Sequence, residues 1–312
     1  MRPKTIFMGT PDFAVPSLDA VARACDVVAV ITQPDKPAGR GDRLAPPKVK
    51  VRALELGLSV LQPTKLRDPA VQQELAGLLP DLIIVVAYGK ILPKETLAIP
   101  RLGCWNLHGS LLPKYRGAAP IQWAIWRGET ETGVCVMQME EGLASGPVLS
   151  VVKTPIGENE TTDSLFGRLS ELGANLLAET LPTILAGVPQ TRGQDHANAT
   201  LAPSLKKEDG RLSFARPGRD VHCHIRAVES WPGATIPTAK GPLRLFSSMV
   251  VPMQGKPGEV LGLHDHRLVI ACDHDAIAIG ELQLPGKKRI PAKAFLMGNP
   301  MPNGTILGGD AT

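Results

Sequence analysis

The sequence predicts two domains, an α/β domain built on a mostly parallel sheet and, after it, a smaller β-rich domain of barrel type. Three observations carry this expectation. The chain has 312 residues, more than the roughly 250 over which a single hydrophobic core usually grows. Its first half alternates apolar strand-like runs with amphipathic segments, the pattern of crossover units in a parallel sheet. Its last third breaks into short β-rich runs punctuated by Gly, Pro and Asp, which suits a small barrel of the oligonucleotide-binding kind or a compact sandwich.

Taken in order, strands are predicted at residues 5–8, 26–32, 82–87, 104–108 and 134–139. Before the third of these, Asp68 and Pro69 form a cap and first helical position, with Val71, Leu75, Leu78 and Leu79 on one face. From 161 to 181 the residues Leu165, Leu169, Leu172 and Leu176 recur at three- and four-residue steps, so an amphipathic helix closes the first domain. Residues 187–202 lack apolar periodicity and have linker composition. The expected division is therefore a first domain at 1–188, a linker at 189–205 and a second domain at 206–312. In the second domain a short helix is expected at 219–228 and strands at 243–246, 249–252, 259–263, 268–272 and 276–284. The Gly-rich tail, 303–312, is expected to be mobile.

Composition narrows the function classes. With 43% hydrophobic and 21% charged residues the chain matches average globular proteins and not disordered ones. No apolar run approaches the roughly 18 residues of a membrane span, and the N-terminal residues lack the pattern of a signal peptide, so a cytoplasmic protein without membrane contact is expected. The five cysteines are scattered and never spaced C-x-x-C, which argues against a disulfide framework or a thiolate zinc site. Net charge is +4, and residues 203–312, with 14 Lys and Arg against 10 Asp and Glu, carry all of it. On charge alone an ordinary solvated surface explains that excess; a polyanionic partner is the sharper alternative.

The first strand runs into Gly9-Thr10-Pro11, where doubly wound sheets bind ligands. No G-x-G-x-x-G or G-x-x-x-x-G-K-[ST] occurs, however, which excludes the common dinucleotide and phosphate-loop motifs. The densest constellation follows Cys104. On a strand, Asn106 and His108 share a face because side chains alternate with period two. An amide donor beside an imidazole suits acyl transfer, since both can hydrogen-bond a developing oxyanion and the imidazole can also relay a proton. For an isolated Asn-x-His the plainer reading is a turn contact and a satisfied strand-end histidine. The surrounding string changes that balance.

That string, N-L-H-G-S-L-L-P-K-Y-R-G-A-A-P-I at 106–121, stands with M-G-T-P-D-F-A near the N-terminus, T-Q-P-D-K-P-A-G-R-G at 32–41, M-Q-M-E-E-G-L-A-S-G-P from Met137 and L-P-G-K-K-R at 284–289. On these motifs the chain resembles the methionyl-tRNA formyltransferase family over essentially its whole length. The resemblance implies a Rossmann-like catalytic domain with an OB-like barrel, no metal, 10-formyltetrahydrofolate as donor and initiator methionyl-tRNA as acceptor. It implies that Asn106 and His108 act at the formyl carbon and that Ser110, Leu111, Leu112 and Pro113 line the folate site. A monomer is expected.

One position departs from the pattern. The family's G-L-D-x-G reads Gly142-Leu143-Ala144-Ser145-Gly146 here, so Ala144 stands where the resemblance implies an aspartate. A methyl group can neither orient an imidazole nor favour its protonated form, and impaired transfer is expected unless Glu140 or Glu141 substitutes. The stretch 32–50 is long for a connection and carries Lys36, Arg40, Arg43, Lys48 and Lys50. By composition a solvated loop explains it as well as an RNA contact; the resemblance favours Arg40, Arg43 and their neighbours as tRNA contacts. It likewise turns Lys287, Lys288 and Arg289 from a solvated turn into expected backbone contacts. His222-Cys223-His224, His264-Asp265-His266 and Asp273-His274-Asp275 have the look of ligand sets, but their helical or turn-rich surroundings argue against a metal. Two other functions remain open at this point, another folate-dependent formyltransferase or 10-formyltetrahydrofolate hydrolase, and a silent folate- or tRNA-binding paralogue.

Overall fold

The structure, a computed structural model, describes residues 2–38, 43–187 and 189–308. Two compact units interleave along the chain. The first comprises Met1–Pro120, Thr132–Thr154 and Phe166–Pro203; the second comprises Ile121–Glu131, Pro155–Leu165 and Ser204–Thr312.

The strands up to residue 202 are β1 (Lys4–Gly9), β2 (Asp26–Ile31), β3 (Lys36–Ala38), β4 (Arg43–Ala45), β5 (Val60–Leu61), β6 (Leu82–Val86), β7 (Cys104–His108), β8 (Arg116–Gly117), β9 (Glu131–Gln138), β10 (Val148–Pro155) and β11 (Leu201–Ala202). The helices are α1 (Val15–Ala24), α2 (Lys48–Glu55), α3 (Pro69–Gly77), α4 (Lys94–Leu97), α5 (Pro120–Trp126) and α6 (Thr162–Leu185). Seven strands form one sheet in the order β10-β9-β7-β6-β1-β2-β5. The pairs β1–β2, β1–β6, β6–β7 and β2–β5 are parallel, and β7–β9 is antiparallel. All five residues of β6 are buried, because a parallel strand covered on both faces must be apolar throughout. One face of β7 is covered by α6: a Cβ on Gly173 would lie 2.6 Å from Leu107 Cδ2, so the glycine lets this leucine pack directly on the helix.

Helix α3 starts as its sequence predicts, with Asp68 Oδ1 accepting from the Ala70 amide at 3.0 Å and Pro69 in the first turn. It ends sooner. Leu75 is buried, but the helix stops at Gly77 and the backbone turns left-handed at Leu79 (φ +50), leaving that leucine 72% exposed. Periodicity placed Leu79 on the buried face; the turn into β6 removes it. The long stretch at 32–50 is partly structured, since β3 and β4 pair as a short antiparallel hairpin before α2. Arg40 lies outside the described residues, and Arg43 begins β4.

The second unit holds α7 (Gly218–Ala227), β12 (Thr235–Ile236), β13 (Leu243–Val251), β14 (Val260–His264), β15 (Arg267–Ala271), β16 (Ala276–Gln283), β17 (Ile290–Pro291) and α8 (Ala292–Gly298). Its strands are antiparallel, in the order β12-β13-β16-β15-β14 with β17 beside β16. The two strands expected at 243–252 are one. The ladder to β16 passes over Ser247 with no change of register: at φ +54 this residue interrupts the pairing for one position without ending the strand. Nor does the tail begin to stray at 303: Val260 accepts from Gly304 at 2.9 Å and donates to Thr305 at 2.8 Å, and the Leu307 amide donates to Gly258 at 2.8 Å. Gly and Asn give 303–308 a disordered composition, but these bonds to Gly258 and Val260 hold its backbone, while 309–312 lie outside the described residues.

Candidate active site

The carboxyl ends of β1, β2, β6 and β7 converge, as expected where a parallel sheet carries its ligand. Thr10 Oγ1, after β1, donates to the Tyr88 carbonyl, after β6, at 2.9 Å. Gln33 Nε2, after β2, donates to the same carbonyl at 3.1 Å. Its backbone amide reaches Thr10 Oγ1 at 3.3 Å. These short polar side chains carry no periodic signal and were not legible as site residues; their only mark in the sequence is position directly after a strand.

On β7 the two residues singled out by spacing share the face opposite Leu107, since the strand is regular. Asn106 is half-buried and its Nδ2 donates to the Val85 carbonyl at 3.0 Å. One amide hydrogen is thereby spent on fixing the side chain, and the second is left for a ligand. His108 is buried, with Nε2 2.9 Å from the Tyr115 carbonyl. A carbonyl only accepts, so Nε2 carries the proton and Nδ1 the lone pair. Burial pushes the imidazole below its usual pKa, opposed in part by the bond to Tyr115. His108 is thus a neutral base at pH 7.

The loop after β7 holds the four residues expected at a folate site. Leu111, Leu112 and Pro113 are half-buried, and the Leu112–Pro113 peptide is cis. Ser110 is fully buried, its hydroxyl donating to the Lys114 carbonyl at 2.7 Å and its own carbonyl accepting from Cys135 Sγ at 2.9 Å. It therefore shapes the loop, and its hydroxyl is not free for a ligand.

Ala144 sits in the loop after β9 in a left-handed conformation (φ +49). Its carbonyl accepts from Gln194 Nε2 at 2.9 Å, and the same amide donates to Gly146 at 2.6 Å. Gln194 Oε1 in turn accepts from Arg116 Nη2 at 2.6 Å. Arg116 adjoins Tyr115, the partner of His108, so two hydrogen bonds tie Ala144 to the corner where the imidazole is held. Glu140 and Glu141 are exposed, and Glu141 pairs with Lys94 at 3.9 Å; neither is held towards β7 by any bond.

The basic residues separate into two kinds. Lys36 and Lys48 are exposed. Lys50 is not available: its Nζ donates to Asp35 at 2.9 Å and to Gln62 Oε1 at 2.8 Å, fastening the base of the β3–β4 hairpin. Lys287 and Lys288 are exposed in the turn after β16. Arg289 is occupied instead by Glu281 Oε2 at 2.5 Å and Glu229 Oε1 at 2.9 Å, and its guanidinium lies 4.1 Å from the Phe246 ring centroid. Run length could not separate Arg289 from its neighbours, because the two carboxylates come from elsewhere in the unit.

The histidine pair on α7 serves packing. His222 Nε2 donates to the Glu158 carbonyl at 3.0 Å while Nδ1 meets Ser248 Oγ at 2.8 Å. His224 Nε2 donates to the Asp209 carbonyl at 2.6 Å, and its ring stacks on Trp126 at 4.2 Å. Among the described residues no group of three or more His, Cys, Asp or Glu side chains could hold a metal ion. All five cysteines are buried and free, and no helix among the described residues is long and apolar enough to cross a membrane.

Comparisons with known proteins bear on this geometry. A family model described as formyl transferase matches residues 4–181, and one described as formyl transferase, C-terminal domain, matches residues 204–300. A methionyl-tRNA formyltransferase of Pelobacter propionicus is 48% identical over 98% of this chain and 97% of its own length. Those of Trichlorobacter lovleyi and Sorangium cellulosum are each 46% identical, over 97% and 98% of this chain and 96% and 99% of theirs. Among solved structures, an N-formyltransferase from Helicobacter canadensis superposes with a TM-score of 0.67 at 18% identity, covering 89% of this chain and 99% of that one. HypX from Aquifex aeolicus, solved with tetrahydrofolic acid, does so with a TM-score of 0.61 at 20% identity, over 95% and 47%. The two structures establish the shared fold, and the near full-length identity of the sequences establishes more: the chain belongs to the methionyl-tRNA formyltransferase family.

Proposed function

We propose that this chain transfers the formyl group of 10-formyltetrahydrofolate to the α-amino group of methionine carried by initiator tRNA, acting in the cytoplasm as a monomer. The observation that carries the chemistry is the β7 pair, an oriented amide with one free N–H beside a buried neutral imidazole whose Nδ1 holds a lone pair. As the amine nitrogen bonds to the formyl carbon, the carbonyl oxygen gains charge that the second Asn106 N–H stabilises. His108 Nδ1 takes the proton the amine sheds and returns it to folate N10 as the old C–N bond breaks. Leu111, Leu112 and Pro113 line the pteridine side through half-buried apolar surface, with Ser110 holding that loop in shape.

In this reading residues 1–188 are the catalytic part, 189–205 a connection and 206–312 the tRNA-binding part. The exposed Lys36 and Lys48 contact the acceptor arm, a role the family resemblance also gives to Arg40 and Arg43, and Lys287 and Lys288 hold phosphates. Charge removal at Lys287 and Lys288 together is expected to weaken tRNA binding at low salt and to flatten the dependence of log Kd on log salt by about 1.5 to 2. Arg289→Ala is expected to act differently, lowering stability by about 1–2 kcal/mol through loss of its ring contact and ion pairs while leaving the salt slope nearly unchanged. Filter-binding titrations at several salt concentrations and thermal melts separate the two; an unchanged slope for the lysine pair would remove them from the interface.

Incubation with 10-formyltetrahydrofolate and charged initiator tRNA tests the function itself. Formylmethionyl-tRNA is the expected product. Release of tetrahydrofolate without it would mark a hydrolase, and binding of both substrates without turnover a silent paralogue, the alternative that Ala144 keeps open.

A further inference from the structure

Residues 192–202 lie in a stretch with the composition of a passive connection, mostly small and polar residues without apolar periodicity. Their hydrogen bonds are not those of one. Arg192 and Val148 exchange both backbone bonds at 2.8 Å, at the start of β10. Gln194 bridges the Arg116 guanidinium and the carbonyls of Ala144 and Gly146. Thr200 makes three bonds to the loop after β7: its hydroxyl accepts from the Tyr115 amide at 2.9 Å, its carbonyl accepts from the Arg116 amide at 2.8 Å, and its amide donates to the Pro113 carbonyl at 3.3 Å. Then β11 pairs in parallel with β8, so closely that a Cβ on Gly117 would lie 2.5 Å from the Ala202 carbonyl oxygen. Glycine is required there twice over, since its φ is +132. The segment fastens the loop after β7 and the loop after β9.

We propose that residues 192–202 are a positioning strap for the reaction, with Thr200 as its principal positioning residue. The inference rests on the formyl-transfer reading for the role of His108. Tyr115 itself has a left-handed backbone (φ +61), a conformation a bulky residue adopts only when its surroundings impose it. Its carbonyl receives the Nε2 proton of His108, and its amide is held by the Thr200 hydroxyl. Thr200 touches no reacting group. It sets the peptide that fixes which imidazole nitrogen carries the proton, and so which one is free to act as base. Gln194 does the corresponding work at the Ala144 loop, through its backbone.

The test uses the full-length protein with Thr200→Val, which keeps the shape and removes the acceptor, and Thr200→Ser, which keeps the hydroxyl. Steady-state formyl transfer and ¹⁵N spectra of the histidine side chains are read on each. With Thr200→Val, kcat is expected to fall about 10- to 100-fold at nearly constant KM for both substrates, the penalty of a group displaced by a fraction of an ångström to an ångström. The His108 ring should change from a single Nε2–H form to a mixture, and Thr200→Ser should restore rate and spectrum together. An unchanged His108 spectrum in folded Thr200→Val overturns the proposal, whatever happens to the rate, and so does a loss that Thr200→Ser shares. Were the parent chain to transfer no formyl group while Thr200→Val still altered the His108 tautomer, the strap would stand and the formyl-transfer reading would fall.

Discussion

His108→Ala is expected to lower kcat for formyl transfer by about 10²- to 10⁴-fold, the range for removal of a positioned acid-base group, with KM for either substrate little changed. In the proposed reaction the amine must lose a proton as it bonds to carbon, and Nδ1 of this imidazole carries the lone pair that would take it. Its Nε2 is committed to Tyr115. A pH profile distinguishes this role from packing. Because burial depresses the imidazole below its ordinary value near 6.5, the neutral, active form persists under mildly acidic conditions, and log kcat falls only as pH drops through the depressed pKa. The acid limb therefore lies below pH 6.5. Single-turnover measurements avoid any masking by product release. Equal rates in the parent and the alanine variant, or an acid limb insensitive to the substitution, would refute the assignment.

The opposite effect is expected at Ala144. Ala144→Asp should raise kcat by about 10²- to 10⁴-fold, the usual worth of a carboxylate that orients and charges a catalytic imidazole. The backbone is suited to the change. At φ +49 alanine is in a region that non-glycine residues seldom occupy and that aspartate and asparagine visit several-fold more readily. The carbonyl of residue 144 is pinned by Gln194, so the loop does not have to be rebuilt. A carboxylate near His108 would also lift its pKa, and the acid limb of the pH profile should move to higher pH in Ala144→Asp. Glu140 and Glu141, the carboxylates nearest to it in sequence, are solvent-exposed. Equal kcat and superimposable pH profiles for the two forms would show that the position does no chemistry.

Much of the site was legible because its geometry follows from local periodicity. Asn106 and His108 are two apart on an apolar strand, and a strand must present such residues on one face. Strand β6 is equally plain, since its Leu-Ile-Ile-Val-Val is the continuous aliphatic run of a buried parallel strand. The helix cap at Asp68 and Pro69 is a two-residue signature whose bond to Ala70 is local. Leu79 shows where periodicity stops being informative: the pattern runs on past the last helical residue, and only the turn into β6 decides that this side chain faces water.

The sequence by itself determined the parallel sheet, the shared face of Asn106 and His108 on β7 and the β-rich second unit, because each is written in residue type and short spacing; an aspartate at 144 is implied by the family resemblance alone. Only the tertiary structure decided that Arg289 is spent on Glu229, Glu281 and Phe246, that Lys50 closes a hairpin, and that the stretch taken for a linker binds two loops through Gln194 and Thr200. The physical reason is distance along the chain. A cation's partners and a loop's anchors lie up to 85 residues away, and whether they meet depends on left-handed and close-packed backbone positions that leave no periodic trace in the sequence.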